Sequence, residues 1–168
     1  MVIMDLHTQM PQTNTMPVKV TRLHPDAKLP TYATDGSGCF DLYADTVAGS
    51  CQIGSLVYEG HPVECGTGLA FEVPPGHVML VFSRSGHGFN HAVRLANSVG
   101  VIDSDYRGEV KVKLTCDDCQ DDEPPLKINP GDRIAQAMVL PIPRVEFEEV
   151  TELSATARGQ GGFGSTGR

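Results

Sequence analysis

The sequence predicts one all-β domain in which many short strands are joined by tight turns. The 168 residues include 18 glycines and 12 prolines but no tryptophan, and the apolar fraction of 40% is ordinary for a globular protein. Short runs of alternating apolar and polar residues recur along the chain, and glycine or proline separates them. A chain of this length can bury a core without disulfide staples, so a single domain is expected.

The strand patterns begin after residue 16 and end near residue 150. Residues 1–16 have no periodicity, which predicts a flexible N-terminal arm, whereas residues 17–150 form the predicted barrel domain and residues 151–168 a linker and mobile tail. The predicted strands, in chain order, cover residues 18–23, 40–44, 63–65, 69–73, 78–82, 101–102, 110–115, 126–128, 134–142 and 145–150.

Charge and cysteine content limit the classes of function. The formal net charge of −8 argues against a general binder of nucleic acid or membrane surfaces. No apolar run approaches the roughly 20 residues that span a bilayer, so a soluble, cytoplasmic protein is expected. Five cysteines without a secretion signal predict reduced thiols. Cys116 and Cys119 have metal-ligand spacing, but local residues cannot complete a four-ligand shell, which favours two thiols at the start of a polar loop.

The segment over residues 100–109 is the strongest functional candidate. Val101 and Ile102 enter it and an alternating strand leaves it, which predicts a β-hairpin whose tip carries acids and a tyrosine. Its backbone groups could read the edge of a flat polar ligand, Asp103 could orient a water, and Tyr106 could form one wall. The alternative is a surface turn with two solvated acids.

Three further polar positions interrupt apolar strands or follow them. The buried run over 78–82 ends in Arg84, Ser85 and Gly86, a combination that suits a phosphate oxygen, although an ordinary turn is the commoner case. Asp41 lies on the polar face of a predicted strand, where an acid usually faces solvent. Gln136 is the one polar interior residue of its strand and needs hydrogen-bond partners if buried.

The glycine-rich tail over residues 158–168 has no apolar period and cannot fold alone. It follows no strand and precedes no helix, so it matches neither a P-loop nor a dinucleotide-binding motif. A flexible linker is one interpretation. The other is a segment that closes over a ligand, with Phe163 stacked on a base and Arg158 and the hydroxyls bound to phosphates.

Five of these segments occur in a fixed order, over residues 33–44, 83–88, 97–109, 131–136 and 158–167. In this order they resemble the five motifs of the trimeric deoxyuridine triphosphate pyrophosphatases, the dUTPases. The third and fifth segments are highly specific, and the resemblance covers the chain from about residue 18 to its end.

The resemblance implies that the protein hydrolyses dUTP to dUMP and pyrophosphate, which limits uracil in DNA and supplies dUMP for dTMP synthesis. Asp103 resembles the acid that orients the water attacking the α-phosphorus and contacts the sugar 3′-hydroxyl. Tyr106 resembles the residue beneath the deoxyribose that leaves no room for a 2′-hydroxyl. Asp41 resembles the acid that holds waters on a Mg²⁺ ion coordinated by the triphosphate.

The resemblance also assigns the remaining substrate contacts to three groups. Those reading uracil are Asn97 and the backbone of Gly100, Val101, Ile102 and Lys111. Those binding phosphate from the barrel are Arg84, Ser85, Gly86 and Gln136. Those in the tail are Phe163, stacked on uracil, and the γ-phosphate clamp of Arg158, Gly164, Ser165 and Thr166.

The fold implied by the resemblance is a distorted jelly-roll β-barrel that assembles as a homotrimer. Each active site would be built from several subunits, with the tail of one closing the site of another. The expected partners are dUTP and two further copies of the chain, without nucleic acid or membrane, and a regulatory protein partner stays open.

The chain departs from the family pattern at several positions. Ser83 stands where proline is common, Cys39 where glycine is common, and His87 and Gly88 replace a more apolar pair, while the loop over 117–123 is long and acidic. None is a proposed catalytic group. Two alternatives remain: a dCTP deaminase, which shares the fold, and a non-catalytic regulator that uses the trimer to bind a partner protein.

Overall fold

The computed structural model describes residues 15–49, 55–117, 125–163 and 165. Within these ranges the chain forms twelve short strands and one helix, α1 (Ser85–His91). The strands are β1 (Lys19–Arg22), β2 (Thr31–Tyr32), β3 (Phe40–Tyr43), β4 (Thr46–Gly49), β5 (Leu56–Val57), β6 (Val63–Glu72), β7 (His77–Phe82), β8 (Val93–Leu95), β9 (Val99–Ile102), β10 (Glu109–Cys116), β11 (Leu126–Lys127) and β12 (Arg133–Pro141).

Two five-stranded antiparallel sheets carry most of these strands. In the first, called sheet A, the order is β1-β6-β10-β8, and β4 also pairs with β6. In the second, called sheet B, the order is β2-β3-β12-β7-β9. Strands β5 and β11 form a separate pair. This arrangement confirms the all-β, jelly-roll prediction.

The core lies between the two sheets, where the apolar side chains of each strand meet. Leu42 of β3, Met79 of β7 and Ile134 of β12 are fully buried from sheet B, and Leu69 and Leu114 are buried from sheet A. Alternating strands with one apolar face gain stability by this burial, at about 25 cal/mol per Å² of apolar surface. The sheets therefore form a fixed frame for the polar residues at their edges.

Several predicted strands have different bounds in the structure. The two strands predicted over 63–65 and 69–73 are one ten-residue strand, β6, because Gly68 adopts a positive φ of 64° within it without ending the pairing. The strand predicted over 145–150 is absent from the described residues of this single chain. Its Phe147 is 93% exposed, since no neighbouring strand lies beside it.

The hairpin predicted around residues 100–109 is also wrong in its pairing. Strand β9 pairs with β7 in sheet B, whereas β10 pairs with β6 and β8 in sheet A. The segment between β9 and β10 therefore connects two sheets. The sequence pattern cannot show this, because alternation fixes which face is buried but not which strand is the partner.

Cysteine chemistry differs from the sequence prediction at one position. Cys116, at the end of β10, is disulfide-bonded, whereas Cys39 and Cys65 are free. The expectation of reduced thiols is therefore wrong for Cys116, because an odd count leaves one thiol over but does not exclude a bonded pair. Cys119 and residues 118–123 of the predicted acidic loop lie outside the described residues, as do residues 1–14 of the predicted arm.

No helix in the described part of the chain has the length and apolar character needed to cross a membrane.

Candidate active site

A cleft opens where β9 and β10 diverge into different sheets. It comprises a cavity of about 350 Å³ and an adjoining one of about 100 Å³, and Val101, Ile102 and Lys111 line both. β9 is the outer strand of sheet B, and β8 pairs with β10 only from Leu114 onward. The outer edge of β9 and the first half of β10 thus face the cleft without a third strand between them. Backbone donors and acceptors at fixed spacing are available there to a planar ligand.

The connection between the two strands holds Tyr106 in one place. The Tyr106 amide donates to the Asp103 carbonyl at 3.2 Å, which closes a turn, and the Tyr106 hydroxyl donates to the Glu109 carbonyl at 3.0 Å. The ring lies so close to Gly108 that a Cβ there would collide with it. Tyr106 is therefore a fixed wall of the larger cavity, and Asp103 lines the same cavity with an exposed carboxylate.

Glu109 is a cleft residue to which the sequence assigned no role. It lines the larger cavity, and its Oε1 accepts from the Gly68 amide at 2.8 Å. This bond connects the first residue of β10 to Gly68, the positive-φ position of β6. The sequence could not reveal this contact between Glu109 and Gly68, because it depends on the pairing of β6 with β10, which brings together residues 41 positions apart.

A tight turn at Asn97 and Ser98 places Asn97 at the wall of the smaller cavity. The Val99 amide donates to the Asn97 carbonyl at 2.7 Å, and Ser98 has a φ of 64°. Asn97 and Gly100 line this cavity, and a Cβ at Gly100 would lie 3.1 Å from Cβ of Val81. The structure thus brings Asn97 together with Gly100, Val101, Ile102 and Lys111 at one cavity.

A second polar cluster forms around Asp41 at the other end of sheet B. Gln136 of β12 lies directly opposite Asp41 of β3, and both are held by the strand pairing. Arg133 donates from Nη1 to Oδ2 of Asp41 at 3.2 Å, and Nε of Arg84 lies 3.7 Å from its Oδ1. Asp41 is buried rather than solvent-facing, so the expectation from strand alternation is wrong here. Arg133 thus forms an ion pair with Asp41.

A register shift between Arg133 and Ala135 accompanies the contact of Arg133 with Asp41. Arg133 pairs with Tyr43, whereas Ala135 pairs with Leu42 and Gln136 with Asp41. Such a bulge places an extra residue on one strand and re-aims its neighbours. Ile134 and Ala135 are consequently both buried, while Arg133 is exposed and Gln136 is partly accessible.

Arg84 is positioned by the turn between β7 and α1. Its Nη1 donates to the Arg133 carbonyl and to Nε2 of His87, each at 3.1 Å. Just before it, the Ser83 hydroxyl accepts from the Leu95 amide at 2.9 Å, which links the end of β7 to β8. Ser85 and Gly86 begin α1 and are more accessible, so the three residues predicted to bind phosphate are adjacent at one surface.

His87 is a buried imidazole beside this cluster. Burial first, and then the positive charges of Arg84, His91 and Arg133, lower the pKa of His87 to about 4, against a smaller opposing effect of Asp132. The ring is therefore neutral at neutral pH. Its Nδ1 has no hydrogen-bond partner among the described residues.

The described residues of the tail hydrogen-bond to one another and not to either cluster. Arg158 donates from Nε to the Gly161 carbonyl at 2.9 Å, and the Ser165 amide donates to the Gly162 carbonyl at 3.0 Å, so the segment turns on itself. The Phe163 side chain is fully exposed, at 114% of its reference area. Gly164 and Thr166, the other predicted tail contacts, lie outside the described residues.

Comparison with known proteins places this architecture in a family. The family model described as dUTPase matches residues 25–167. The chain belongs to the dUTPase family. The deoxyuridine 5′-triphosphate nucleotidohydrolase of Helicobacter pylori is 41% identical over 155 residues, which cover 90% of this chain and 97% of that protein. That of Corynebacterium glutamicum is 41% identical over 156 residues, covering 93% and 98%.

Solved structures of dUTPases show the same fold. The dUTPase of Staphylococcus bacteriophage 80alpha with dUpNHpp superposes with a TM-score of 0.74 at 25% identity, covering 92% of this chain and 100% of that one. A mutant dUTPase from phage phi11, whose structure concerns a structural Mg(II) ion, has a TM-score of 0.65 at 20% identity and covers 82% and 98%. Membership of the dUTPase family confirms the resemblance seen in the sequence, and it makes the protein a hydrolase of nucleotide metabolism.

Proposed function

We propose that this dUTPase-family protein hydrolyses dUTP to dUMP and pyrophosphate by attack of water on the α-phosphorus. The observation that carries the proposal is the two-part cleft between β9 and β10, lined by an exposed Asp103 and walled by a fixed Tyr106. The names of the relatives support the substrate, since they are deoxyuridine triphosphate nucleotidohydrolases, and a phage relative was solved with dUpNHpp.

In this proposal the smaller cavity takes the uracil ring. Its volume of about 100 Å³ suits one pyrimidine, and Asn97 and the backbone of Gly100 lie at its wall. Backbone groups that match O4 and N3–H of uracil would reject cytosine, because a 4-amino group would face a donor and leave it unpaired. The sugar would then lie in the larger cavity against Tyr106, whose ring would exclude a 2′-hydroxyl.

Asp103 would hold the attacking water and accept its proton. Its carboxylate is exposed in the cleft, where a water can reach it. A positioned general base contributes roughly 10²–10⁴ in rate. The rest of phosphoryl transfer depends on alignment and on neutralising the triphosphate, which is the role proposed for Arg84, Ser85, Gly86 and Gln136.

The residues present fit Mg²⁺ only as an ion held mainly by the substrate and by water. No group of three or more His, Cys, Asp or Glu side chains that could hold a metal occurs in the described ranges. Asp41 has Arg133 on one carboxylate oxygen and Arg84 near the other, and each oxygen has further lone pairs that can accept from metal-bound waters. When bound, Mg²⁺ would supply charge neutralisation for the triphosphate. The Mg(II) ion named for the phage phi11 protein supports this cofactor.

Strand register favours active sites shared between chains. Gln136 and Val99 both pair with Phe82, and Asp103 follows Val99 by four residues. At roughly 3.3 Å per residue and 4.8 Å per strand spacing, Asp103 lies about 16 Å from Gln136 in one chain. A water held by Asp103 and a phosphate held by Gln136 must instead lie within a few ångströms of one phosphorus. We therefore propose a homotrimer in which Asp103 of one chain works with Asp41, Arg84 and Gln136 of another.

The tail would complete the site from a neighbouring chain. Phe163 is exposed on the glycine-rich segment and is free to stack on the uracil, while Arg158, Gly164, Ser165 and Thr166 would bind the γ-phosphate. A fully exposed aromatic side chain among glycines gains stability only when a partner covers it. This supports the closing role over that of an inert linker.

The deciding experiment is the release of pyrophosphate from a panel of nucleoside triphosphates with Mg²⁺. Rapid hydrolysis of dUTP, with little from dCTP, dTTP or UTP, supports the proposal. Ammonia release from dCTP would instead identify the deaminase that shares this fold. Intact but inactive protein that binds dUTP would point to the regulatory alternative, which a pull-down with and without nucleotide can test.

A further inference from the structure

One histidine contacts the proposed phosphate-binding arginine directly. His87 is 9% exposed, on α1, and its Nε2 lies 3.1 Å from Nη1 of Arg84. The His87 and Gly88 amides both donate to the Arg84 carbonyl at 3.1 Å, so the backbone fixes the spacing of the two side chains. The contact is therefore built into the first turn of the helix.

The hydrogen bonds of Arg84 leave one side of its guanidinium available. Nη1 carries two hydrogens, and it has two acceptors, Nε2 of His87 and the Arg133 carbonyl. Nε faces Asp41 at 3.7 Å. Among the described residues, none of the hydrogen bonds of Arg84 uses Nη2. A guanidinium held at one end in this way presents its other end in a fixed direction.

We propose that His87 is a positioning residue, which orients the guanidinium of Arg84 so that Nη2 meets the triphosphate. The proposal rests on the proposed function, since it deepens the part played by Arg84. An apolar side chain at 87 would leave the second Nη1 hydrogen of Arg84 without an acceptor.

The protonation state of His87 suits this role. An imidazole can accept from arginine only when neutral, and burial together with Arg84 lowers the pKa of His87 to about 4. Because Nε2 accepts, the proton is on Nδ1, which is buried without a partner among the described residues. An unpaired buried donor destabilises the fold. If the only role of His87 were to stabilise the fold, leucine would serve better there. A loss of ligand binding in His87→Leu without a loss of stability would therefore report positioning.

The test compares His87→Leu, His87→Gln and the control His91→Gln from the other end of α1. The Gln variant keeps an acceptor oxygen near the position of Nε2, whereas the Leu variant does not. Binding of dUpNHpp and of deoxyuridine is measured by calorimetry, and unfolding is followed in urea. We expect His87→Leu to bind dUpNHpp about ten-fold more weakly and to bind deoxyuridine as the parent does. Its urea midpoint should be unchanged or raised. His87→Gln should stay within about three-fold of the parent chain.

Two results would overturn the inference. One is a His87→Leu chain that binds dUpNHpp as tightly as the parent, and the other is a His87→Leu chain whose urea midpoint falls, which would make the role structural. Failure of the proposed function is a different observation, because the parent chain itself would then bind no dUpNHpp and hydrolyse no dUTP. His91→Gln should match the parent in every measurement.

Discussion

Arg133 donates from Nη1 to Oδ2 of Asp41 at 3.2 Å, across the β3–β12 pair and 92 residues along the chain. The bond gives a buried carboxylate a permanent counter-charge, with Arg84 on its other oxygen. Two arginines therefore share one acid at the place where the triphosphate and its metal are proposed to bind. Asp41 thus has a structural and a proposed functional role, which substitution can separate.

Substitution Asp41→Asn should weaken the response to Mg²⁺. The amide keeps the size of the side chain but cannot orient metal-bound waters as strongly as a charged oxygen. We expect the Mg²⁺ concentration for half-maximal dUTP hydrolysis to rise about ten-fold, measured by pyrophosphate release across a Mg²⁺ titration. Asp26→Asn, on an exposed loop, is the control. An unchanged Mg²⁺ response would remove Asp41 from the metal site.

Substitution Asp103→Asn should abolish most of the turnover and preserve binding. The amide fills the same space in the cleft but cannot accept a proton from water, so the rate should fall by roughly 10²–10⁴. The affinity for dUpNHpp should stay within about three-fold, since the cavity walls are unchanged. Single-turnover hydrolysis and calorimetry measure the two quantities. Asp105→Asn, two residues away and exposed, should remain active; equal losses in both variants would contradict the role of Asp103.

Mixed trimers should recover activity from two inactive chains. If Asp103 and Gln136 act from different chains, co-expression of Asp103→Asn with Gln136→Ala leaves about one site in four with both residues intact. Selection through two different tags removes the uniform trimers, so one site in three is complete in the purified mixed trimers and we expect about a third of the parent activity. Each variant carrying both tags is the control and should stay inactive. No recovery in the mixture would place both residues in the same chain's site.

The stability of the protein should fall as the pH drops from about 6.5 to 4. The pKa of His87 is lowered to about 4 in the folded chain, so over this range the unfolded chain binds a proton that the folded chain does not. His87 should therefore lower the free energy of unfolding by up to about 3 kcal/mol as the pH falls. Above the unfolded pKa both states hold the neutral ring, so none of this stability is lost there.

Urea unfolding of the parent and of His87→Leu between pH 7 and pH 4.5, at one chain concentration, measures this effect. The Leu variant should lose less stability over the same range. His24 acts in the opposite sense, because its hydrogen bond to Asp45 raises its pKa, and the stability it provides is lost as pH rises. It is exposed and should contribute little. Parallel curves for the parent and the variant would exclude His87 as the source.

The site residues that could be predicted from sequence are those whose chemistry and local spacing are unusual. Asp103 and Tyr106 stand between apolar strand ends, and Gln136 interrupts an apolar run, so each is visible without a fold. Arg133 and Glu109 were assigned no binding role, because their partners Asp41 and Gly68 come from strands far away in sequence. The short helix α1 was read as a turn, since seven residues with two glycines give little helical signal.

By itself, the sequence determined the all-β class, the order of the five segments and thereby the family, because these depend on composition, period and residue type along the chain. Only the tertiary structure decided that β9 and β10 belong to different sheets, that Arg133 binds Asp41 beside a bulge, and that His87 contacts Arg84. Those relationships depend on which strands pair and in which register. Local alternation selects the buried face of a strand, but the choice of partner is made by the packing of the whole barrel.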